Sequence, residues 1–188
     1  MGYIGRVYEL SGYNRLCIME SYFSGIWKDQ NFESLEYSGY QLVDYVNAQK
    51  PNSVLDIGCG YNNFKGKIHK LIGVDPYNSS ADIKLPLEEL STTMKFDIVL
   101  ALGSINFGDE SVIDNQMGII DKLFRKEAIF SVHRGIPHDW ADYRDIVWYS
   151  CTKEKINNIA SRFNYTVKCI ETEHVKQGHK RLFFVYAK

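Results

Sequence analysis

No apolar run in the 188-residue chain approaches the ~20 residues that a membrane span requires, so the sequence offers no transmembrane helix. Cysteine is scarce and scattered. Cys17, Cys59, Cys151 and Cys169 form no C-x-x-C pair and no disulfide-like rhythm, which excludes a disulfide framework and leads us to expect a reducing, cytoplasmic setting. Charge of one sign is also lacking: 22 basic residues stand against 23 acidic ones. That balance excludes a basic footprint over the whole domain, leaving at most a local patch. No repeat or low-complexity tract is present, and the first residues lack a basic stretch followed by an apolar one, so no secretory signal is expected.

Aromatic residues, by contrast, are abundant at 14% of the chain, and ten of them lie within the first 45 positions, among them Tyr3, Tyr8, Tyr13, Tyr22, Phe23 and Trp27. Two readings stand side by side: a lid that closes over a ligand, with Gly2, Gly5, Gly12 and Gly25 giving it freedom, or a segment that packs through its rings. The length fits one domain, able to bury roughly 70% of its unfolded surface without a metal or disulfide staple. Pro51 divides an aromatic-rich cap and helix, residues 1–50, from a second part, residues 51–188.

The second part alternates short apolar runs with stretches of helical period, the pattern of an α/β fold with a parallel sheet. Strands are expected at 53–57, 71–74, 96–102 and 128–132, and a final pair at 165–170 and 181–186 reads as antiparallel at a sheet edge. Helices are expected from Asn31 to about Gln49, over a short stretch carrying Phe64 and Ile68, over 109–124, and after a Thr152 cap.

The informative stretch is V-L-D-I-G-C-G at 54–60, followed by I-G-V-D at 72–75. A strand that ends in Gly-x-Gly lets backbone approach a ligand closely, because no Cβ intervenes. Asp75, 15 residues after Gly60, ends the neighbouring strand, where a carboxylate can accept both hydroxyls of a ribose. A nicotinamide dinucleotide site requires G-x-G-x-x-G/A, and the third small residue is absent here. Asp56, just before the first glycine, would repel a diphosphate and attract an ammonium and a sulfonium. The corner therefore favours S-adenosylmethionine over NAD.

These motifs resemble those of class I S-adenosylmethionine-dependent methyltransferases. V-L-D-I-G-C-G is similar to that family's first motif, I-G-V-D to its second acidic position, A-D-I-K-L-P-L to its third region and F-D-I-V-L-A-L to its fourth, and the likeness spans about residues 50–188. It implies a Rossmann-like α/β sandwich with a mostly parallel sheet of order 3-2-1-4-5-7-6. It also implies that Asp56, Gly58 and Gly60 line the methionine end of the cofactor, with backbone of Ile57 and Cys59 close by. Asp75 would hold the ribose, Pro76 would lie against the adenine, Asp82 would meet its amino group with Ile83 beside the ring, and Ala101 and Leu102 would flank the methionine amino group. The sequence departs from the family in three places. Asn62 and Asn63 stand where small residues are common, and Arg125-Lys126-Glu127 replaces a Gly-Gly turn. Only six residues separate Asp75 from Asp82, too few for the helical crossover of roughly ten residues or more, so a shortened third strand with no preceding helix is expected, and an adenine pocket walled by loop 77–81.

Methyl transfer is an in-line displacement that depends largely on alignment, so no obligatory catalytic residue is expected. Ser104, Asn106 and Asp109 follow the fourth strand, and His133, Arg134, His138, Asp139, Trp140 and Tyr143 follow the fifth. His133 is the candidate base, since imidazole titrates near neutrality, although a loop histidine with a satisfied hydrogen bond is the plainer reading. No metal site is expected: His133 with His138, and His174 with His179, each lack a third ligand. The expected acceptor is a small molecule or a sugar-like group, with nucleic acid and membrane not favoured. An RNA or protein methyltransferase, a catalytically silent S-adenosylmethionine-binding subunit and an NAD-dependent oxidoreductase are the alternatives.

Overall fold

In the computed structural model, the residues described are 19–26, 39–131, 146, 147, 149, 151–173 and 180–188. His133, Arg134, His138, Asp139, Trp140 and Tyr143 lie outside them, as do His174 and His179. A single π-helical turn, Tyr22–Ile26, precedes helix α1, Leu42–Ala48. There follow strands β1, Val54–Ile57, and β2, Leu71–Val74; a 3₁₀ turn, Leu87–Glu89; and strand β3, Phe96–Leu102. Helix α2, Glu110–Leu123, runs straight into strand β4, Phe124–Ser131, and helix α3, Lys153–Phe163, precedes strands β5, Thr166–Glu173, and β6, Lys180–Ala187.

The six strands form one sheet in the order β2-β1-β3-β4-β6-β5. The β1–β2, β1–β3 and β3–β4 pairs are parallel, whereas β6 runs antiparallel to both β4 and β5. Beyond β2 there is one isolated parallel bridge, Val74 to Ile83, and residues 75–82 contain no helix. Side-chain alternation divides the core into two layers. Leu55, Ile57, Val99, Ala101 and Phe130 pack with Ile113, Met117 and Ile120 of α2 and Ile159 and Ala160 of α3. Val54, Leu71, Ile98, Leu100 and Ile129 pack on the other face with Leu42 and Val46 of α1 and with Phe64 and Ile68. Helix α1 thus lies before Pro51 in the chain but is built into the sandwich.

Both long helices start on side-chain caps. Asp109 accepts from Val112 N–H at 3.1 Å and Thr152 from Lys155 N–H at 3.3 Å, satisfying donors that the helix itself leaves open. Among the described residues no helix is long and apolar enough to cross a membrane.

Three expectations are corrected. The helix expected from Asn31 is seen only over Leu42–Ala48: residues 31–38 lie outside the described residues, and Gly39, at φ +84°, starts a turn that a right-handed helix cannot hold. The stretch between β1 and β2 is a chain of turns, not a helix: Gly60, Asn62, Gly66 and Lys70 all have positive φ, which a right-handed helix cannot hold. Phe64 and Ile68 are buried nonetheless, so their spacing reported the buried face and not the backbone. Strand β4 starts at Phe124, four residues earlier than expected. Arg125 and Lys126 are exposed there and face Asp97, at 3.9 and 3.2 Å, which hid the strand from a reading based on apolar runs.

Candidate functional site

The carboxyl ends of β1, β2 and β3 meet at the crevice where an open parallel sheet binds its ligand. Gly58, just past β1, has φ +68°, and its N–H donates to Val74 O at 2.8 Å, with Cys59 N–H reaching the same carbonyl at 3.1 Å. Gly60, at φ +53°, turns its N–H onto Asp75 Oδ2 at 3.0 Å. The other oxygen of Asp75 accepts from Tyr77 N–H at 2.8 Å and Asn78 N–H at 3.0 Å. Asn78 in turn accepts from Ser80 N–H, which folds the short loop after Pro76 tightly. One carboxylate therefore joins the glycine turn of β1 to the loop that follows β2.

Asp56 shares the same sheet face and is only 3% exposed. Burial pushes its carboxyl up to about 8, and the nearby Asp75 adds to the rise. A carboxylate so placed fits a cationic ligand group and penalises an anionic one. Cys59 lies in the same turn. Burial, followed by Asp56, Asp75 and Asp82, drives its thiol far above the usual range, so it is held as a neutral thiol and not as a nucleophile.

Asp82 is drawn toward the β1–β2 turn. Its Oδ2 accepts from Gly73 N–H at 2.8 Å and Asn62 Nδ2 at 3.3 Å, and its Oδ1 accepts from Lys65 Nζ at 2.7 Å. Burial works to raise its carboxyl, but these donors outweigh it and hold the group below the usual range. Ile83 pairs with β2 through its N–H to Gly73 O, 3.1 Å, and its carbonyl to Asp75 N–H, 3.1 Å. Gly73 is required for this arrangement, because a Cβ there would stand 2.5 Å from Asn62 Oδ1 and 2.8 Å from Cys59 Sγ. Asn62 was weighed above only as a departure from the family pattern. Its turn role had one sequence signal, the tolerance of Asn for positive φ.

Across the crevice, Ala101 is fully buried at the end of β3 and Leu102 is half-buried. Ser104 Oγ donates to Ile57 O at 2.6 Å. Asn106 is fully buried, and its backbone carbonyl accepts from Tyr149 N–H at 2.8 Å. Asp109, a candidate in sequence, is the cap of α2. The π-helical turn lies over this edge. Phe23 stacks on Tyr77, with centroids 5.9 Å apart and planes 5° apart, and meets Phe107 edge-on at 5.3 Å. Tyr22 is buried with Phe107 and Ile146. Among the described residues no group of three His, Cys, Asp or Glu side chains could hold a metal ion.

The raised Asp56 makes a testable statement about stability. Its folded form keeps a proton, up to about pH 8, that the unfolded chain releases in the ordinary carboxylate range, so ligand-free stability falls as pH rises through that window. Asp56→Asn removes the titration. Thermal unfolding from about pH 5 to about pH 9 should show the parent losing stability relative to this variant as pH rises. Parallel curves would remove Asp56 as a buried proton-binding group.

No family model matches the chain, and no curated protein matches it in sequence. Solved structures match it in fold. The chain is similar to the 1,6-didemethyltoxoflavin-N1-methyltransferase of Burkholderia thailandensis, solved with 1,6-didemethyltoxoflavin and S-adenosylhomocysteine bound, at TM-score 0.69 and 16% identity over 97% of this chain and 92% of that one. It is also similar to magnesium protoporphyrin IX methyltransferase ChlM of Synechocystis PCC 6803 with bound S-adenosylmethionine, at TM-score 0.65 and 13% identity over 92% and 96% of the two chains. The N-methyltransferase NodS of Bradyrhizobium japonicum WM9, in complex with S-adenosylhomocysteine, matches at TM-score 0.60 and 14% identity over 79% and 84%. The chain has the Rossmann-like α/β fold of these S-adenosylmethionine-dependent methyltransferases.

Proposed function

We propose that this chain transfers a methyl group from S-adenosylmethionine to a small-molecule or sugar-like acceptor. The observation that carries the reading is the pair of carboxylates at the strand ends, with the Gly60 N–H already turned onto one of them. In a dinucleotide site the glycine-turn N–H groups and the helix that follows them face a diphosphate. Here no helix follows the turn, the Gly60 N–H serves Asp75, and Asp56 lies buried beside it. That corner suits a ligand with a positive amino-acid end and a ribose, and opposes NAD.

The residue roles follow from this placement. Asp75, braced by three backbone donors, keeps one acceptor site on Oδ2 and offers it to the ribose. Asp56 faces the positive end, with Gly58 and Gly60 leaving room and the backbone of Ile57 and Cys59 alongside. Ala101 and Leu102 close the far wall. We assign the adenine to Pro76, Ile83 and loop 77–81. Asp82 gives three of its roughly four lone-pair sites to Gly73, Asn62 and Lys65, and so holds that wall in place. Counting the Val74–Ile83 bridge as a vestigial strand, we read the sheet as the family order 3-2-1-4-5-7-6, its third strand shortened and the preceding helix missing. Residues 1–50 then serve as the cap and helix, and 51–188 as the cofactor-binding core. When bound, S-adenosylmethionine supplies a methyl group activated by its sulfonium. The chain's own work is to orient the two partners and exclude water, with His133 the candidate base for acceptors that must lose a proton.

The ribose role is open to direct measurement. Asp75→Ala should weaken S-adenosylhomocysteine binding by about 1–3 kcal/mol in calorimetry, the cost of stranding partners of a charged hydrogen bond. Unchanged affinity would take Asp75 out of the role. The stack of Phe23 on Tyr77 favours the lid reading of the N-terminal aromatics, because Tyr77 N–H also holds Asp75. Saturating S-adenosylhomocysteine should then protect residues 19–26 from protease in the parent and much less in Phe23→Ala. Equal protection would reduce the segment to packing.

A further inference from the structure

The balanced charge of the chain leaves room for a local basic patch, and one lies at the end of the sheet opposite the crevice. In sheet order, Lys70 stands just before β2, Lys50 ahead of β1, Lys95 just before β3, Arg125 and Lys126 at the start of β4, and Lys188 just past β6, which runs the other way. All six are exposed. Backbone bonds set neighbours side by side: Lys70 O accepts from Val54 N–H and Lys126 O from Lys188 N–H, each at 3.1 Å. From β2 to β6 the row crosses four strand spacings, about 19 Å.

The carboxylates Asp97 and Glu127 at this end are buried, whereas the cations are not. Arg125 and Lys126 share Asp97; their side chains are 57% and 54% exposed, and its side chain 5%. Lys188 pairs with Asp121 at 2.9 Å and donates to Phe124 O at 3.1 Å, and Lys95 Nζ donates to Lys122 O. The carbonyls at the end of α2 thus hold both lysines in place, as the negative end of a helix does. Asp56, Asp75 and Asp82 lie at the other end of the strands, so a chain of net charge −1 is polarised along them. Backbone conformation points the same way. Lys50 and Lys70 have φ of +47° and +57°, a region that glycine and asparagine enter at lower cost. The backbone gives no reason for lysine at either place, which leaves the side chain as the reason.

We propose that this row docks the phosphodiester backbone of a nucleic-acid duplex, remote from the crevice and independent of what the crevice binds. A protein partner requires an interface core rich in apolar and aromatic groups and poor in charge. Firm attachment to a membrane requires an apolar anchor besides basic groups. Among the described residues, the exposed large apolar side chain beside the row is Met94 alone. A single strand is held by stacking its bases on aromatic rings, and the rings at this end, Phe96 and Phe124, are buried. A duplex backbone needs only cations, and it offers one charge per roughly 1.7 Å of its axis.

The test titrates the full chain, by fluorescence anisotropy, with labelled duplex RNA and duplex DNA of one sequence and about 20 base pairs, from about 50 to about 200 mM salt. Contact with about four phosphates predicts that log affinity falls against log salt with a slope of about −3 to −4. Such binding of either duplex supports the proposal, and the arm that binds identifies the nucleic acid. Lys50→Asn combined with Lys70→Asn removes two charges and suits both backbone positions. This variant should keep its thermal stability, bind the duplex at least about tenfold more weakly at low salt and flatten the slope by about 2. Should it lose stability, Lys50→Gln with Lys95→Gln carries the same comparison. Four results overturn the proposal: neither duplex bound at low salt, an affinity indifferent to salt, a folded variant that binds as the parent does, or phosphatidylserine–phosphatidylcholine vesicles bound more tightly than either duplex.

Discussion

The hydrogen bond from Gly60 N–H to Asp75 Oδ2 is the constraint on which the site depends. It joins the turn after β1 to the end of β2, and it does so with a carboxylate. A glycine turn offers N–H groups that can serve an anion from solution or an anion from the chain. Here the chain supplies its own. The crevice is consequently acidic, and burial of Asp56 beneath it, with Asp75 nearby, keeps its proton on toward neutrality.

The amino ends of the central strands are held by a separate set of charges. Asp97 accepts from Asn52 N–H at 2.9 Å and Lys126 Nζ at 3.2 Å. Glu127 accepts from Tyr45 Oη and Gln49 Nε2 of the α1 region, each at 2.9 Å, and from Lys168 Nζ at 3.1 Å. These groups are fully partnered, and their carboxyls lie below the usual range: at Asp97 the leading cause is the Asn52 N–H, and at Glu127 the donors outweigh burial. Asp97 and Glu127, with their donors, fasten α1 and neighbouring strands to one another at this end, away from the crevice that holds Asp56 and Asp75.

How much of this was legible follows from what each segment encodes. Strand β3 carries seven apolar or buried residues in a row, and its limits, Phe96–Leu102, coincide with those read from sequence. Helix α2 was marked by its apolar spacing, and helix α3 by apolar spacing and the Thr152 cap; the Asp109 cap of α2 was read instead as a site candidate. The β1–β2 connection was misread as a helix because Phe64 and Ile68 lie four apart; the positive φ of Asn62 and Lys70 has no strong compositional mark, although Gly60 and Gly66 were warnings. The start of β4 was missed because Arg125 and Lys126 answer to Asp97, 29 positions from Lys126 in the chain. At the site, Gly58, Gly60 and Asp75 were legible because a strand end followed by a glycine turn is a local pattern. The reach of Ser104 to Ile57 was not, since it depends on β1 and β3 lying side by side, 47 residues apart in sequence. For the same reason the engagement of Asp82 by Lys65 and Asn62 could not be read in advance.

The claim that the crevice is built for an adenosyl ligand with an ammonium-bearing tail is tested most directly by calorimetric titration with S-adenosylhomocysteine and with NAD. Each titration is run near pH 7 in two buffers of different ionisation enthalpy. Because Asp56 holds a proton in the free protein and faces an ammonium in the complex, the account predicts that S-adenosylhomocysteine binds with release of a proton, seen as a heat that differs between the buffers, and that NAD gives no binding heat. Binding of NAD with none of S-adenosylhomocysteine would contradict it.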